Sequence, residues 1–234
     1  LILLATCGVV LTGPSAFWDA LWMAGAVAQA TVTTWVVLRW LRSGASRWMG
    51  VTPAMLIPVV GNVLLPLAGL ALGHPLWSAI QAAVGGLLWP VVLLLLVQRL
   101  KRVGPWPARM RASVFVLIAP PSVIGLDLLL WQMPWLASLT LWAVALAFVV
   151  LALRQLPQCF DQPFGWPMWS LSFPLTAFAA LTLRLANAGV LPQLLALLVL
   201  ALASVVVAAL ARWTFWGLRS GELLQPEPAP VPKP

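Results

Sequence analysis

The chain offers little material for covalent or acid–base chemistry. Its 234 residues include one His, two Cys, no Tyr and five acids. No Cys/His ligand spacing and no nucleophile–base constellation occurs among them, so a metal, a cofactor or an enzymatic activity is not expected. The chemistry that remains is electrostatic. Asp127 and Arg184 lie within apolar stretches, where an ionisable group is costly and marks either a pathway or a paired partner. Arg184 belongs to WPMWSLSFPLTAFAALTLRLAN (166–187), which Pro174 interrupts directly after Phe173. Phe173 and Arg184 are eleven residues apart. On a helix that is nearly three turns, so both fall on about the same face, roughly 16 Å apart along the axis.

Each of these residues has two readings. Phe173 is a core packing residue or the constriction of a passage. Arg184 draws anions toward that passage or snorkels to the interface. Asp127 pairs with Arg184 or acts as a proton-coupling carboxylate. Asn62, Ser122, Ser170, Ser172 and Thr176 offer donors to a passing anion or satisfy carbonyls freed at proline breaks. His74, in a Gly-His-Pro turn, is given no chemical role.

The elements that position these groups are membrane spans. The composition is 62% hydrophobic and 8% charged, against about 25% charged in soluble domains. A spanning helix needs about 20 apolar residues. Apolar runs separated by turns and basic loops give eight spans: 1–12, 18–41, 53–72, 76–98, 112–130, 135–153, 166–187 and 191–211. The first is short and reads as half of a helix. The chain starts without Met, which points to a fragment or a processed start, and no signal peptide is expected. Residues 1–221 form one transmembrane domain. Residues 222–234 are proline-rich and are expected to be a disordered tail.

Charge sets the orientation. Alternating the loops between two sides places twelve of the 13 Lys and Arg on one side and Arg184 alone on the other. The basic side is therefore cytoplasmic, as is the C-terminus. Most Trp residues fall near span ends, as interfacial anchors do. The net charge of +8 is a topology signal, and no wet basic face suited to nucleic acid exists. Lys101, Arg102, Arg109 and Arg111 fix topology, with contact to anionic lipid as a second role. Cys7 and Cys159 fall on an apolar run and in a loop, and no disulfide joins them.

A second pattern runs along the spans. The third, fifth and seventh carry central prolines, among them Pro58, Pro120 and Pro174. The second, sixth and eighth do not. Broken helices are tolerated where they face protein or a water-filled cavity. The broken spans are thus interior and the straighter ones exterior. The repeating unit is a hairpin of one inner and one outer helix.

Three stretches carry a resemblance: TPAMLIPVVGNVLLPLAGLALG (52–73), RMRASVFVLIAPPSVIGLDLL (109–129) and MWSLSFPLTAFAALTLRLAN (168–187). Together they resemble the tellurite-resistance/dicarboxylate transporter family, which takes in TehA-like proteins and the plant slow-type anion channels (SLAC). The resemblance runs from Leu1 to about Gly221. It implies an all-α membrane protein of helical-hairpin repeats around a central pore, with eight spans present of ten and the first hairpin missing. It also implies a homotrimer in which each protomer has its own pore, sited here in a bacterial inner membrane. It places Phe173 at the position of a gate beside a proline-induced break, a hydrophobic constriction that opens by rotamer change or dewetting. Arg184, Pro174, Ser170, Thr176, Pro120, Pro58 and Asn62 become the pore-lining or anion-attracting set.

The function expected is a passive channel or uniporter for small anions. The alternative is a secondary carrier for C4-dicarboxylates, sulfite or tellurite-related anions, with Asp127 as the only group placed to couple protons.

Overall fold

The computed structural model describes residues 1–42, 51–157 and 164–224; at 108, 109 and 222 the backbone alone is described. Within these residues every regular element is helical. Six helical stretches are long and apolar enough to cross a membrane, and two shorter apolar ones, Ile2–Thr12 and Pro53–Gly69, accompany them.

Helix α1 is Ile2–Thr12 and α2 is Ala16–Arg42. The third apolar segment starts as a 3-10 turn, Pro53–Met55, and continues as α3 (Leu56–Val63) and α4 (Pro66–Gly69). Proline explains the subdivision: Pro53 and Pro66 sit in the first turn of their elements, where a missing N–H costs nothing. Helix α5, Pro75–Val103, runs through Pro90 without ending. Its two adjacent glycines, Gly85 and Gly86, differ in use. A Cβ on Gly85 would stand 2.8 Å from the Val59 carbonyl oxygen, whereas Gly86 has open space.

The fifth span is a 3-10 segment, Ala108–Ile118, followed by α6, Ala119–Leu130. Pro120 and Pro121 therefore open an α-helix instead of breaking the middle of one. An eleven-residue 3-10 run is long for that geometry. Helix α7, Trp135–Leu153, has the bounds expected of it. The seventh span repeats the design of the fifth: a 3-10 segment, Trp166–Leu171, passes into α8, Ser172–Asn187, with Pro174 in its first turn. Helix α9, Gln193–Arg219, extends eight residues past the expected Ala211, through RWTFWGLR, although Trp, Thr, Phe and Gly are weak helix formers. The tail expected to be disordered from 222 begins as a 3-10 turn, Glu222–Leu224; the rest of it, 225–234, lies outside the described residues, as do Cys159 and the loop 43–50.

Burial separates two kinds of helix. In α2, α5, α7 and α9 between 17% and 22% of the apolar window is buried, against 50% in Trp166–Asn187 and 61% in Met110–Leu130. Each well-buried segment packs on the long helix that follows it: α3 on α5, α6 on α7, α8 on α9. The buried segments also pack on one another in sequence, α1 on α4, α3 and α4 on α6, and α6 on α8. Three of the four 3-10 segments meet at one end, where 108–118 packs against both 53–55 and 166–171. Lys101, Arg102, Arg154 and Arg219 lie at or just beyond the C-terminal ends of α5, α7 and α9.

Candidate functional site

Two apolar clusters fill the interior. One joins the 3-10 segments to the outer helices through Leu56, Phe115, Ile118, Leu171, Phe178 and Leu210. The other draws from every inner segment: Ile2 and Ala5 of α1, Val60 and Val63 of α3, Ala68 of α4, Ala119 and Val123 of α6, and Ala177 of α8. Phe173 packs against this second cluster while remaining partly accessible. Its neighbour Pro174 is buried, as are Pro58 and Pro120.

Helix α8 is unbroken from Ser172 to Asn187, so the register from Phe173 to Arg184 holds. Eleven residues at 100° each leave the two side chains about 20° apart around the axis. Thr176, Ala180, Arg184 and Asn187 are all exposed and share that face, although the segment as a whole is half buried. The exposed stripe contains a hydroxyl, a guanidinium and an amide. The Asn187 side-chain oxygen accepts from Gln193 at 3.0 Å, which ties the end of α8 to the start of α9.

The small polar groups serve the backbone at the breaks. Ser122 donates to the Ile118 carbonyl at 2.7 Å and Ser172 to that of Trp169 at 2.7 Å. Thr176 donates to the carbonyls of Ser172 and Phe173 at 3.1 and 2.9 Å. Ser170 donates across segments to Ala112 at 2.7 Å, pinning two 3-10 stretches together. Thr176 alone of these four is exposed. Its hydroxyl proton is held by the helix, but its oxygen still faces out.

Asn62 is 1% exposed. Its amide donates to Thr33 Oγ1 and to the Pro58 carbonyl, both at 2.7 Å. Gln29 donates to the same two acceptors at 3.1 Å. Three polar side chains of α2 and α3 and the Pro58 carbonyl thus form one largely buried network, and Gly61 makes room for it, since a Cβ there would run into the Gln29 side chain. The Asn62 amide is committed to holding α3 against α2; the helix runs from Leu56 to Val63 through Pro58, so the expected break at Pro58 does not occur, because Pro58 falls in the first turn. The part of Gln29 and Thr33 was missed in the sequence, although two polar residues four apart within a span were a usable signal.

Asp127 and Arg184 form no ion pair. The Asp127 carboxylate is 1% exposed and both its oxygens lack a hydrogen-bond partner within the described residues, while Arg184 stands on the exposed stripe. The physical reason is facing: Asp127 points into the packed interior and Arg184 away from it.

His74 has more structure around it than its turn suggested. Its Nε2 lies 2.6 Å from Asp19 Oδ1, and its ring stacks on Trp22 at 5.0 Å between centroids. Trp22 is fully buried and donates to the Leu65 carbonyl at 3.1 Å, which anchors the outer turn to the start of α4. Among the described residues no group of three His, Cys, Asp or Glu is placed to hold a metal ion.

Apolar spanning helices, an interior set of proline-started segments and one exposed polar stripe define an integral membrane protein built to handle a solute inside the bilayer. Over residues 1–216 the chain matches the SLAC1 voltage-dependent anion channel family, and it belongs to that family. Anion transport follows from this membership, in a family of transporters and not of enzymes. No curated protein matches the chain.

Proposed function

We propose that the protein is a passive channel or uniporter for small anions, and that the inner segments α1, α3–α4, α6 and α8 surround its pore. The observation that carries this reading is the position of Phe173. Its ring meets the one apolar cluster to which every inner segment contributes, at the head of the only exposed polar stripe on α8. A passage here is closed by an aromatic side chain and lined beyond it by Thr176, Ala180 and Arg184. Closure by an apolar ring excludes water, and ions follow only when the ring moves aside.

Arg184 then raises the local anion concentration near the outer mouth. Selection is by charge and dehydration cost, so monovalent anions pass more readily than divalent ones. The hairpins are repeats of one unit, a broken inner helix and a straight outer one. Protomers assemble as trimers, each with its own pore, in a bacterial inner membrane with the C-terminus in the cytoplasm.

A carrier for C4-dicarboxylates, sulfite or tellurite-related anions is the second reading, and the buried carboxylate of Asp127 favours it. The two are separated by reconstituting the full-length protein and recording current alongside uptake. Anion-selective current that does not saturate at millimolar substrate supports the channel. Saturable, electrically silent uptake of dicarboxylate would sink it.

A further inference from the structure

Away from the stripe on α8, at the basic end of the molecule, a cleft of about 210 Å³ opens between α5 and α7. Its floor is the 3-10 stretch, through Val114 and Leu117, and its walls are Leu96 and Val97 of α5 and Phe148 and Leu151 of α7. Val97, Leu100 and Leu151, all on the cleft, are 48%, 43% and 44% exposed, so it opens sideways on the face that the outer helices turn to lipid.

Its polar groups gather at one end. Arg111 and Gln155 line the cleft there, both half-buried, and among the described residues no acidic one lines it. Lys101 and Arg102, at the end of α5, and Arg154, just past α7, are exposed around the same mouth. Trp106 forms part of the wall and is fixed from two sides. Its indole donates to the Val51 carbonyl at 3.3 Å, and the Arg99 guanidinium lies 5.0 Å above its ring. Arg99 also donates to the Gly104 carbonyl, which closes the turn after α5.

An apolar slot open to hydrocarbon, ending in a cluster of cations at the membrane surface, is complementary to one kind of molecule. We propose that this cleft binds an anionic phospholipid, with an acyl chain between α5 and α7 and the headgroup phosphate on Arg111. Arginine suits that contact, since its planar fork can hold two phosphate oxygens at once. The surrounding Lys and Arg add the surface attraction that juxtamembrane basic residues have for acidic headgroups. Because the floor of the cleft is the 3-10 segment that leads into α6, a bound lipid would brace that segment against the two outer helices.

The test uses the full-length protein in detergent, with retained lipid read by native mass spectrometry. The probes are phosphatidylglycerol and phosphatidylcholine with the same acyl chains. Wild type is expected to retain phosphatidylglycerol at least five-fold over phosphatidylcholine. Arg111→Gln should remove that preference and Arg111→Lys keep most of it. Val97→Trp, at an exposed position, should fill the slot and lower retention of both lipids without changing the elution volume. Equal retention of the two lipids by wild type, or an unchanged preference in Arg111→Gln, overturns the proposal. So does a Val97→Trp variant that loses its oligomer while keeping its lipid, because the cleft is then an interface between copies. Anion current is not the readout, so the outcome is independent of the channel assignment.

Discussion

Asn62, on a broken inner helix, donates its side-chain amide to Thr33 Oγ1 on a straight outer helix at 2.7 Å, and both residues are buried. The bond joins neighbouring hairpins, the outer helix of one to the inner segment of the next, one turn past Pro58. In lipid the amide has no water to fall back on, so the contact keeps its partners in place. Interhelical hydrogen bonds in membranes have modest net worth, with an average near 0.6 kcal/mol and about 2 kcal/mol at the upper end.

Asn62→Leu leaves the Pro58 carbonyl and Thr33 to Gln29 alone. We expect a loss of about 1–3 kcal/mol, the cost of disturbing a buried polar network. A fall in melting temperature in detergent measures it. Thr33→Val combined with Asn62→Leu should cost less than the sum of the two singles. Strict additivity would show that the two residues are not energetically coupled.

Close approach of α3 and α5 depends on Gly85, where a Cβ would meet the Val59 carbonyl oxygen at 2.8 Å. Backbone cannot swing aside as a side chain can. Gly85→Ala should destabilise by about 1–3 kcal/mol, in the range of overpacked cores. Gly86→Ala, facing open space one residue on, should be neutral or slightly stabilising through helix propensity. Paired thermal melts of the two variants check the contrast, and equal effects would contradict it.

Arg184 is exposed on the stripe of α8, and among the described residues no ion pair joins it to an acidic side chain. Arg184→Gln should lower anion conductance about two- to five-fold at low salt. The deficit should shrink toward none at molar salt, where the Debye length falls to about 3 Å. A conductance–concentration series in planar bilayers reads both effects. A deficit independent of salt would mean that Arg184 acts by shape or packing and not by charge.

Asp127 presents a buried carboxylate whose oxygens find no hydrogen bond in the described residues. If transport does not use its proton, Asp127→Asn leaves the pH dependence of anion current unchanged and the protein no less stable. Current recorded across a series of pH values in both proteins decides this. A flattened pH profile in the variant would shift the account to the proton-coupled carrier.

The sequence told much of this in advance, for identifiable reasons. Apolar runs and the one-sided distribution of Lys and Arg located the segments because the bilayer imposes both patterns directly. For Trp135–Leu153 and Trp166–Asn187 they gave the bounds as well. The inner role of the proline-bearing segments was readable from Pro58, Pro120 and Pro174. What proline did to the backbone was not: in the fifth and seventh spans it starts an α-helix behind a 3-10 segment, a choice made by the packing of 108–118 on 166–171. The partners of Asn62 were hidden because they lie on another helix, and sequence spacing speaks only within one. The same limit let Asp127 and Arg184 look like a pair. They stand at similar depth, but their facing depends on how α6 and α8 are rotated against each other.

The central claim is that Phe173 closes the pathway, and it is tested most directly by single-channel or macroscopic current from the full-length protein reconstituted in planar bilayers. Replacement of the ring by a methyl group in Phe173→Ala should raise anion conductance by at least ten-fold, with anion-over-cation selectivity retained, while Phe173→Trp stays closed. A Phe173→Ala protein that is folded by melting and elution yet conducts no more than wild type would contradict the account, and Phe173 would be a core residue only.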